Sequence, residues 1–352
     1  MFFESCVHII NIYRGKNMIF LEEVLTVLSS TAKPRSKPKK KRDELEVLSA
    51  KKRRKKYRVL YLMLIPGAVW FILFHILPLY GISIAFLDYN PLKGVFGSRF
   101  VGWENFQAFI NSASFWDILQ NTVVISSLKI LFGFPLPIVF ALMLNEIKCA
   151  PFKKVTQTIS YLPFFLSWVI VMGISNVIFN NYTGVLSGLC NTFNLPYTDP
   201  SHNPATFVAF LVGAHVWKSV GWGSIIYLAS LANVDQEIVE AAYVDGAGRW
   251  KRLIHITLPA IAPMIAIQLI LTMGSILGSD FEQIYLFTGG QRYDPQLTAV
   301  AETFDTYIYR NGIAAGAFSG PAAVGIFQSV FGACLLLITN KISKRLGYDG
   351  IW

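Results

Sequence analysis

The chain has 352 residues, of which 53% are hydrophobic and 14% aromatic, and only 15% are charged, against about 25% in an ordinary soluble domain. Its net charge of +10 sits entirely in residues 1–58, where 16 Lys and Arg face 6 Asp and Glu; the rest of the chain carries 15 of each sign. A disordered chain, an ordinary soluble enzyme and a basic nucleic-acid-binding domain are thereby excluded, and the main body is expected in lipid.

In chain order, residues 1–32 read as a poorly specified leader. Glu4, His8 and Arg14, with no small-residue cleavage site after them, do not fit a signal peptide, and a later translation start such as Met18 suits the segment better. Residues 33–58 (KPRSKPKKKRDELEVLSAKKRRKKYR) are polybasic. Such runs bind nucleic-acid phosphate. Directly before an apolar stretch, the favoured reading is a topology anchor on anionic lipid, worth ~1 kcal/mol per basic residue near the surface. No nucleic-acid partner is expected. Cys6, Cys149, Cys190 and Cys334 lie far apart, which suggests neither a disulfide framework nor a zinc site.

Six stretches have the ~20 apolar residues that a bilayer core requires. They are 58–87, 118–144, 158–180, 206–231, about 260–287 and about 317–340. Internal Pro66, Pro78, Pro135, Pro137 and Pro163 are tolerable in bundled membrane helices. The expectation is an all-α membrane protein with a cytoplasmic tail over 1–57, a six-span body over 58–345 and a short cytoplasmic tail over 346–352. Orientation follows the Lys/Arg bias of the loops. With both termini inside, the short inner segments hold Lys148, Lys153 and Lys154, then Arg249, Lys251 and Arg252, then Lys341, Lys344 and Arg345. The longer outer loops hold only Lys93, Arg99, Arg292 and Arg310, and 181–205 has no Lys or Arg.

The inner loop between the fourth and fifth stretches, 233–263, reads NVDQEIVEAAYVDGAGRWKRLIHITLPAIAP. Asn233 with Gln236 three residues on predicts a capping box. Val234, Ile238, Ala241 and Ala242 form an apolar stripe on one helical face. Asp245-Gly246 predicts a helix stop. A second short helix over Arg249–Ile256 follows, Pro259 is expected to break the chain, and Pro263 lies near the start of the fifth stretch. The product is a helix–turn–helix on the inner face, half apolar with a basic rim. Its small residues (Ala241, Ala242, Gly246, Ala247, Gly248) permit close approach of another surface.

The spacing Glu240-Ala241-Ala242, Gly246, Ile256, Leu258-Pro259 resembles the EAA loop of binding-protein-dependent ABC importer permeases. Beyond it, PLYGISIAFLDYNP, VGWENFQAF, LNE at 144–146, VWKSVGWGSIIYLASL and the ending KRLGYDGIW are similar to the sugar branch of that family, especially permeases for oligosaccharides and polysaccharide fragments. Leu253 stands where the family often has Phe. The outer loop 88–117 is short, without the extra outer domain of maltose-type permeases.

The resemblance implies a type I importer permease of a bacterial cytoplasmic membrane, whose loop docks on a separate dimeric ATPase. Glu240, Ala241, Ala242, Asp245, Gly246, Arg249, Ile256, Leu258 and Pro259 would sit in or beside that contact. It also implies a second, non-identical permease, an extracytoplasmic binding protein and an oligosaccharide substrate. The chain has no G-x-x-x-x-G-K-[ST] phosphate loop. No cofactor is expected on this chain, Mg-ATP belonging to the partner.

Two lysines fall within spans, Lys129 and Lys218. A central lysine costs about 2.5–3.5 kcal/mol on insertion scales and so faces a cavity or a partner. One reading is a pair with Asp280 or Glu282; the other is a solute-lining cavity, which would favour an acidic oligosaccharide such as a uronate. Asn176, Trp217, Gln268, Asp280, Glu282 and Gln283 are the remaining cavity candidates, and Phe281, Tyr285 and Trp222 could stack on sugar faces. A membrane enzyme is disfavoured by scattered histidines and missing H-E-x-x-H and G-x-S-x-G motifs. An ion- or proton-coupled secondary transporter is the alternative reading, though it has no use for an EAA-type loop.

Overall fold

Proline, glycine and in-span polar residues decide where the helices of this chain bend. The computed structural model describes residues 57–278, 281–290, 294–345, 347 and 350–351. The chain divides into two units at Leu77–Pro78. In the first, helix α1 (Arg58–Phe71) runs through Pro66 and widens into a π-turn, Ile72–Ile76. It has no charged residue after Arg58, and Leu60, Met63, Trp70 and Phe74 are all exposed. A helix apolar all round suits lipid.

The second unit begins within the 3-10 turns over Leu77–Phe86 and continues into a two-residue antiparallel pair, β1 (Leu87–Asp88) with β2 (Arg99–Phe100). This hairpin is a small departure from an all-helical chain. Then follow α2 (Glu104–Ile110), α3 (Ser114–Gly133), α4 (Pro135–Glu146), α5 (Ala150–Tyr161) and α6 (Trp168–Phe179). Next come α7 (Val185–Thr192), α8 (Pro204–Leu231), α9 (Gln236–Val244), α10 (Arg249–Arg252) and α11 (Leu258–Gly274). The chain closes with α12 (Phe281–Phe287), α13 (Pro295–Ala301), α14 (Phe304–Ile308) and α15 (Ser319–Arg345).

Among the described residues four helical stretches are long and apolar enough to cross a membrane: Leu60–Phe86, Ser114–Glu146, Arg249–Gly274 and Ser319–Arg345. The pair Ala150–Phe165 and Trp168–Phe179, bent by 103°, is a fifth if it is one span. The sixth expected stretch is α8, with 28 residues and roughly 42 Å of length at 1.5 Å per residue. It misses the apolar criterion because His215, Lys218 and Ser219 interrupt it. The reason is its position: α8 packs on α3, α4, α5, α11 and α13, so protein surrounds much of it. Phe207 and Leu211 anchor one core cluster with Ile125 and Ile284, and Tyr227 and Leu231 anchor another with Ile138 and Ile261.

The fifth stretch differs from its expected bounds of about 260–287. It starts at Arg249 and ends at Gly274, where the Ser275–Gly278 turn stops the helix. Pro259 does not break it. The π-turn Leu253–Thr257 immediately before α11 places Pro259 in that helix's first turn, where a missing N–H costs little, so α10 and α11 run on as one helix.

Candidate functional site

The segment between α8 and α11 begins at Asp235, whose Oδ1 accepts from the Glu237 N–H at 2.9 Å and caps α9. The expected capping box is therefore displaced: Asn233 Nδ2 instead donates to the Ala229 carbonyl, extending the end of α8. Asp235 stands two residues nearer the helix and meets the first free N–H groups of α9. The far end is a Schellman turn. Gly246 has φ +79°, its N–H bonds the Tyr243 carbonyl at 3.1 Å, and the Ala247 N–H bonds the Ala242 carbonyl at 2.9 Å.

Arg252 ties the second arm to the first. Its Nη1 donates to the Ala247 carbonyl at 2.7 Å, and its guanidinium lies 5.1 Å from the Tyr243 ring centroid. Arg249 donates through Nη2 and Nε to Glu146 Oε2 at 2.8 and 3.1 Å, joining the segment to the end of α4. Both partners are exposed, so the pair is worth about 0–1 kcal/mol. It orients more than it stabilises.

The apolar stripe is rotated from its expected face. Val234, Val239 and Ala242 turn partly inward, whereas Ile238 and Ala241 are exposed. Tyr243, Val244 and Trp250 are 69%, 84% and 76% exposed, and Glu240, Asp245, Gly246 and Pro259 are exposed as well. Ile256 and Leu258 are half-buried in the helix that follows. The large apolar side chains Tyr243, Val244 and Trp250 stay open to the outside while the Asp235 cap, the Gly246 turn and two arginines hold the segment's backbone.

Within the bundle, the seven cavity candidates among the described residues do not form one site. Lys129 and Gln268 line a cavity of about 280 Å³ whose polar wall also includes Ser126, His215, Ser219 and Tyr227. Lys129 is only 5% exposed, and its Nζ donates to Gln283 Oε1 at 2.8 Å. Gln283, fully buried, donates in turn to the Leu211 carbonyl at 2.7 Å. It is a strut between helices and does not line that cavity. Trp217 borders a separate apolar cavity of about 410 Å³ between α6 and α8, together with Ser175. Asn176 is half-buried on α6, Glu282 is exposed, and Asp280 lies outside the described residues. Lys218 donates to the Phe164 carbonyl at 2.9 Å. Of the proposed sugar-stacking rings, Trp222 stacks on Phe164, and Phe281 and Tyr285 stack on each other.

His215, Ser126, Ser219 and Tyr227 are cavity residues that the sequence reading does not single out. A signal was present in their spacing. Ser126 and Lys129 are i,i+3, His215 and Ser219 are i,i+4, and Gln268, Thr272 and Ser275 are i,i+4,i+7, each set polar on one face of an apolar helix.

Comparison with known proteins adds four findings. Residues 133–348 match the family described as binding-protein-dependent transport system inner membrane component. Protein LplB of Bacillus subtilis (strain 168) is 43% identical over 298 residues, covering 85% of this chain and 92% of LplB. The polygalacturonan/rhamnogalacturonan transport system permease protein YteP of the same organism is 40% identical over 295 residues, covering 84% of this chain and 90% of its own. Among solved structures, a chain of a bacterial alginate ABC transporter, in complex with an alginate pentasaccharide-bound periplasmic protein, superposes with a TM-score of 0.77. Its identity is 35%, over 85% of this chain and 99% of that one.

Proposed function

Because the chain belongs to the family of binding-protein-dependent transport system inner membrane components, we propose that it is the permease subunit of an ATP-driven importer that carries acidic oligosaccharides. The coarse part of this reading, a multi-pass, non-enzymatic permease for oligosaccharide import, rests on the family match and on LplB, YteP and the alginate transporter chain. The finer parts are six spans with both termini in the cytoplasm of a bacterium, a second non-identical permease, a cytoplasmic ATPase dimer holding Mg-ATP, and an extracytoplasmic binding protein. A secondary transporter is not favoured, since the family works with binding proteins.

The observation that carries the coupling part is the segment Gln236–Arg252. It is capped by Asp235 and closed by Gly246, carries Arg249, Lys251 and Arg252, and presents Tyr243, Val244 and Trp250 outward. A partner surface covering those side chains would pass its motion into α8 on one side and into the continuous helix from Arg249 on the other. Support for an acidic substrate comes from the uronate-rich chains named for YteP and the alginate transporter.

The test is to express the chain with its partner permease and ATPase, and to measure ATP hydrolysis with and without binding protein and a panel of oligogalacturonates, oligoalginates and neutral oligosaccharides. Expected is hydrolysis stimulated by loaded binding protein, strongest with uronates. Purification of the chain alone as an active transporter, without any ATPase, would overturn the importer reading. Saturable uptake of neutral sugars only would overturn the acidic one.

A further inference from the structure

The stretch from Ala150 to Phe179 is broken inside the bundle. After α5 the chain makes a 3-10 turn over Leu162–Phe165, passes Ser167, which caps α6, and leaves at 103°. Backbone that leaves a helix in a membrane loses hydrogen bonds that hydrocarbon cannot replace, so side chains or water must supply them. Here Lys218 Nζ donates to the Phe164 carbonyl at 2.9 Å. The same ammonium lies 5.1 Å from the Phe164 ring centroid and 5.2 Å from that of Trp168. One cation therefore touches both sides of the break, through a carbonyl and two π faces.

Two further residues of the same α8 face hold the corner. Trp222 stacks on Phe164 with centroids 4.5 Å apart and planes 4° from parallel. Gly221 lies so close to the Ser160 backbone that a Cβ would overlap its carbonyl. Lys218, Gly221 and Trp222 are i, i+3 and i+4, neighbours on one helical surface. α8 continues to Leu231, and α9 begins at Gln236 after a short link. The helix that grips the corner thus also bears the docking segment.

The geometry points to Lys218 as a positioning residue that locks the broken α5–α6 stretch to α8, so that the corner follows the docking segment through the transport cycle. The transport consequence rests on the permease reading above; the locking itself does not. The sequence left a carboxylate pair and a solute-lining cation open for Lys218; the bond to the Phe164 carbonyl supports this third, positioning role.

Two measurements test it. In the importer reconstituted with its partners and binding protein, uptake per ATP hydrolysed is compared for wild type, Lys218→Met and Lys218→Arg. A hydrogen bond from a charged donor is worth enough that Lys218→Met is expected to lower uptake per ATP roughly tenfold, for acidic and neutral sugars alike. Lys218→Arg, which still donates, is expected to recover most of it. Unchanged uptake per ATP in Lys218→Met overturns the proposal, and so does a loss confined to acidic sugars, the mark of a solute contact.

Independently of transport, spin labels at Thr158→Cys on α5 and Val177→Cys on α6 report the bend in the full chain. Lys218→Met is expected to broaden their distance distribution and Lys218→Arg to leave it narrow; an unaltered distribution in Lys218→Met overturns the locking role. If Lys218→Met fails to assemble, Trp222→Leu removes the stack and keeps the cation. It is expected to broaden the same distribution, and unaltered spacing there contradicts a held corner. A wild-type complex with no ATP-dependent uptake would fault the importer reading alone, while the labels still decide the role of Lys218.

Discussion

Gly246 holds φ +79° at the end of α9 with nothing within 4 Å of a would-be Cβ. Space is available there, but the left-handed backbone is not, costing a residue with a Cβ roughly 1–2 kcal/mol. Gly246→Arg is therefore expected to leave membrane insertion intact and to loosen the turn. The readout is loss of ATPase co-purification, and full retention would count against the turn as a docking element. Buried polar struts behave differently. Gln283→Leu removes its hydrogen bonds to Lys129 and to the Leu211 carbonyl at once, and a hydrogen bond to a charged group is worth about 1.5–3 kcal/mol, so a lower melting temperature in detergent is expected. A transition unmoved by Gln283→Leu would contradict the strut. Glu302, between α13 and α14 and outside the candidate spans, is pushed above the usual carboxylate range by burial, which Arg310 only partly offsets. A raised folded-state value means that its contribution to stability is fully present below about pH 4.5 and is lost as pH rises through that higher value. Glu302→Gln is expected to lessen this loss above pH 4.5, and parallel wild-type and variant melting profiles would contradict it.

At the scale of elements, the segment Gln236–Arg252 follows its sequence in outline and departs from it in detail. Its turn at Gly246 follows from Asp-Gly chemistry, which is local. The cap moved from Asn233 to Asp235 because α8 runs on to Leu231 and takes Asn233 into its own end, a consequence of tertiary packing that no local pattern records. The continuity from Arg249 through Pro259 depends on a π-turn, which relieves the proline without leaving a trace in the apolar periodicity. The polar cavity was legible only in part. In-span Lys129 and Gln268 announce themselves by cost, whereas serines, a tyrosine and a histidine are cheap enough in a helix to look structural. The stripe facing was ambiguous for the same reason, as alanine and valine suit either side. Replacing Tyr243 and Trp250 by Ala removes the two large exposed rings of the segment. Assembly with the ATPase is expected to fall roughly tenfold or more, as for aromatic anchors at interface centres. Unchanged assembly would place the contact elsewhere.

At the scale of the molecule, α8 is the hub. It packs on α3, α4, α5, α11 and α13, it contacts both the polar cavity and the broken α5–α6 corner, and it leads directly into α9. That arrangement suits a subunit that performs no chemistry and converts a push at one face into a rearrangement inside the membrane. Its central claim is that this push comes from a separate ATPase at α9. The most direct measurement is a photo-crosslink from p-benzoylphenylalanine placed at Tyr243, in cells expressing the whole transporter, with a second probe at Leu92 in the hairpin loop as reference. Expected is a crosslink from position 243 to the ATPase subunit that changes with nucleotide, and none to it from position 92. A co-purifying ATPase that crosslinks to position 92 and never to position 243 would contradict the docking role of the segment.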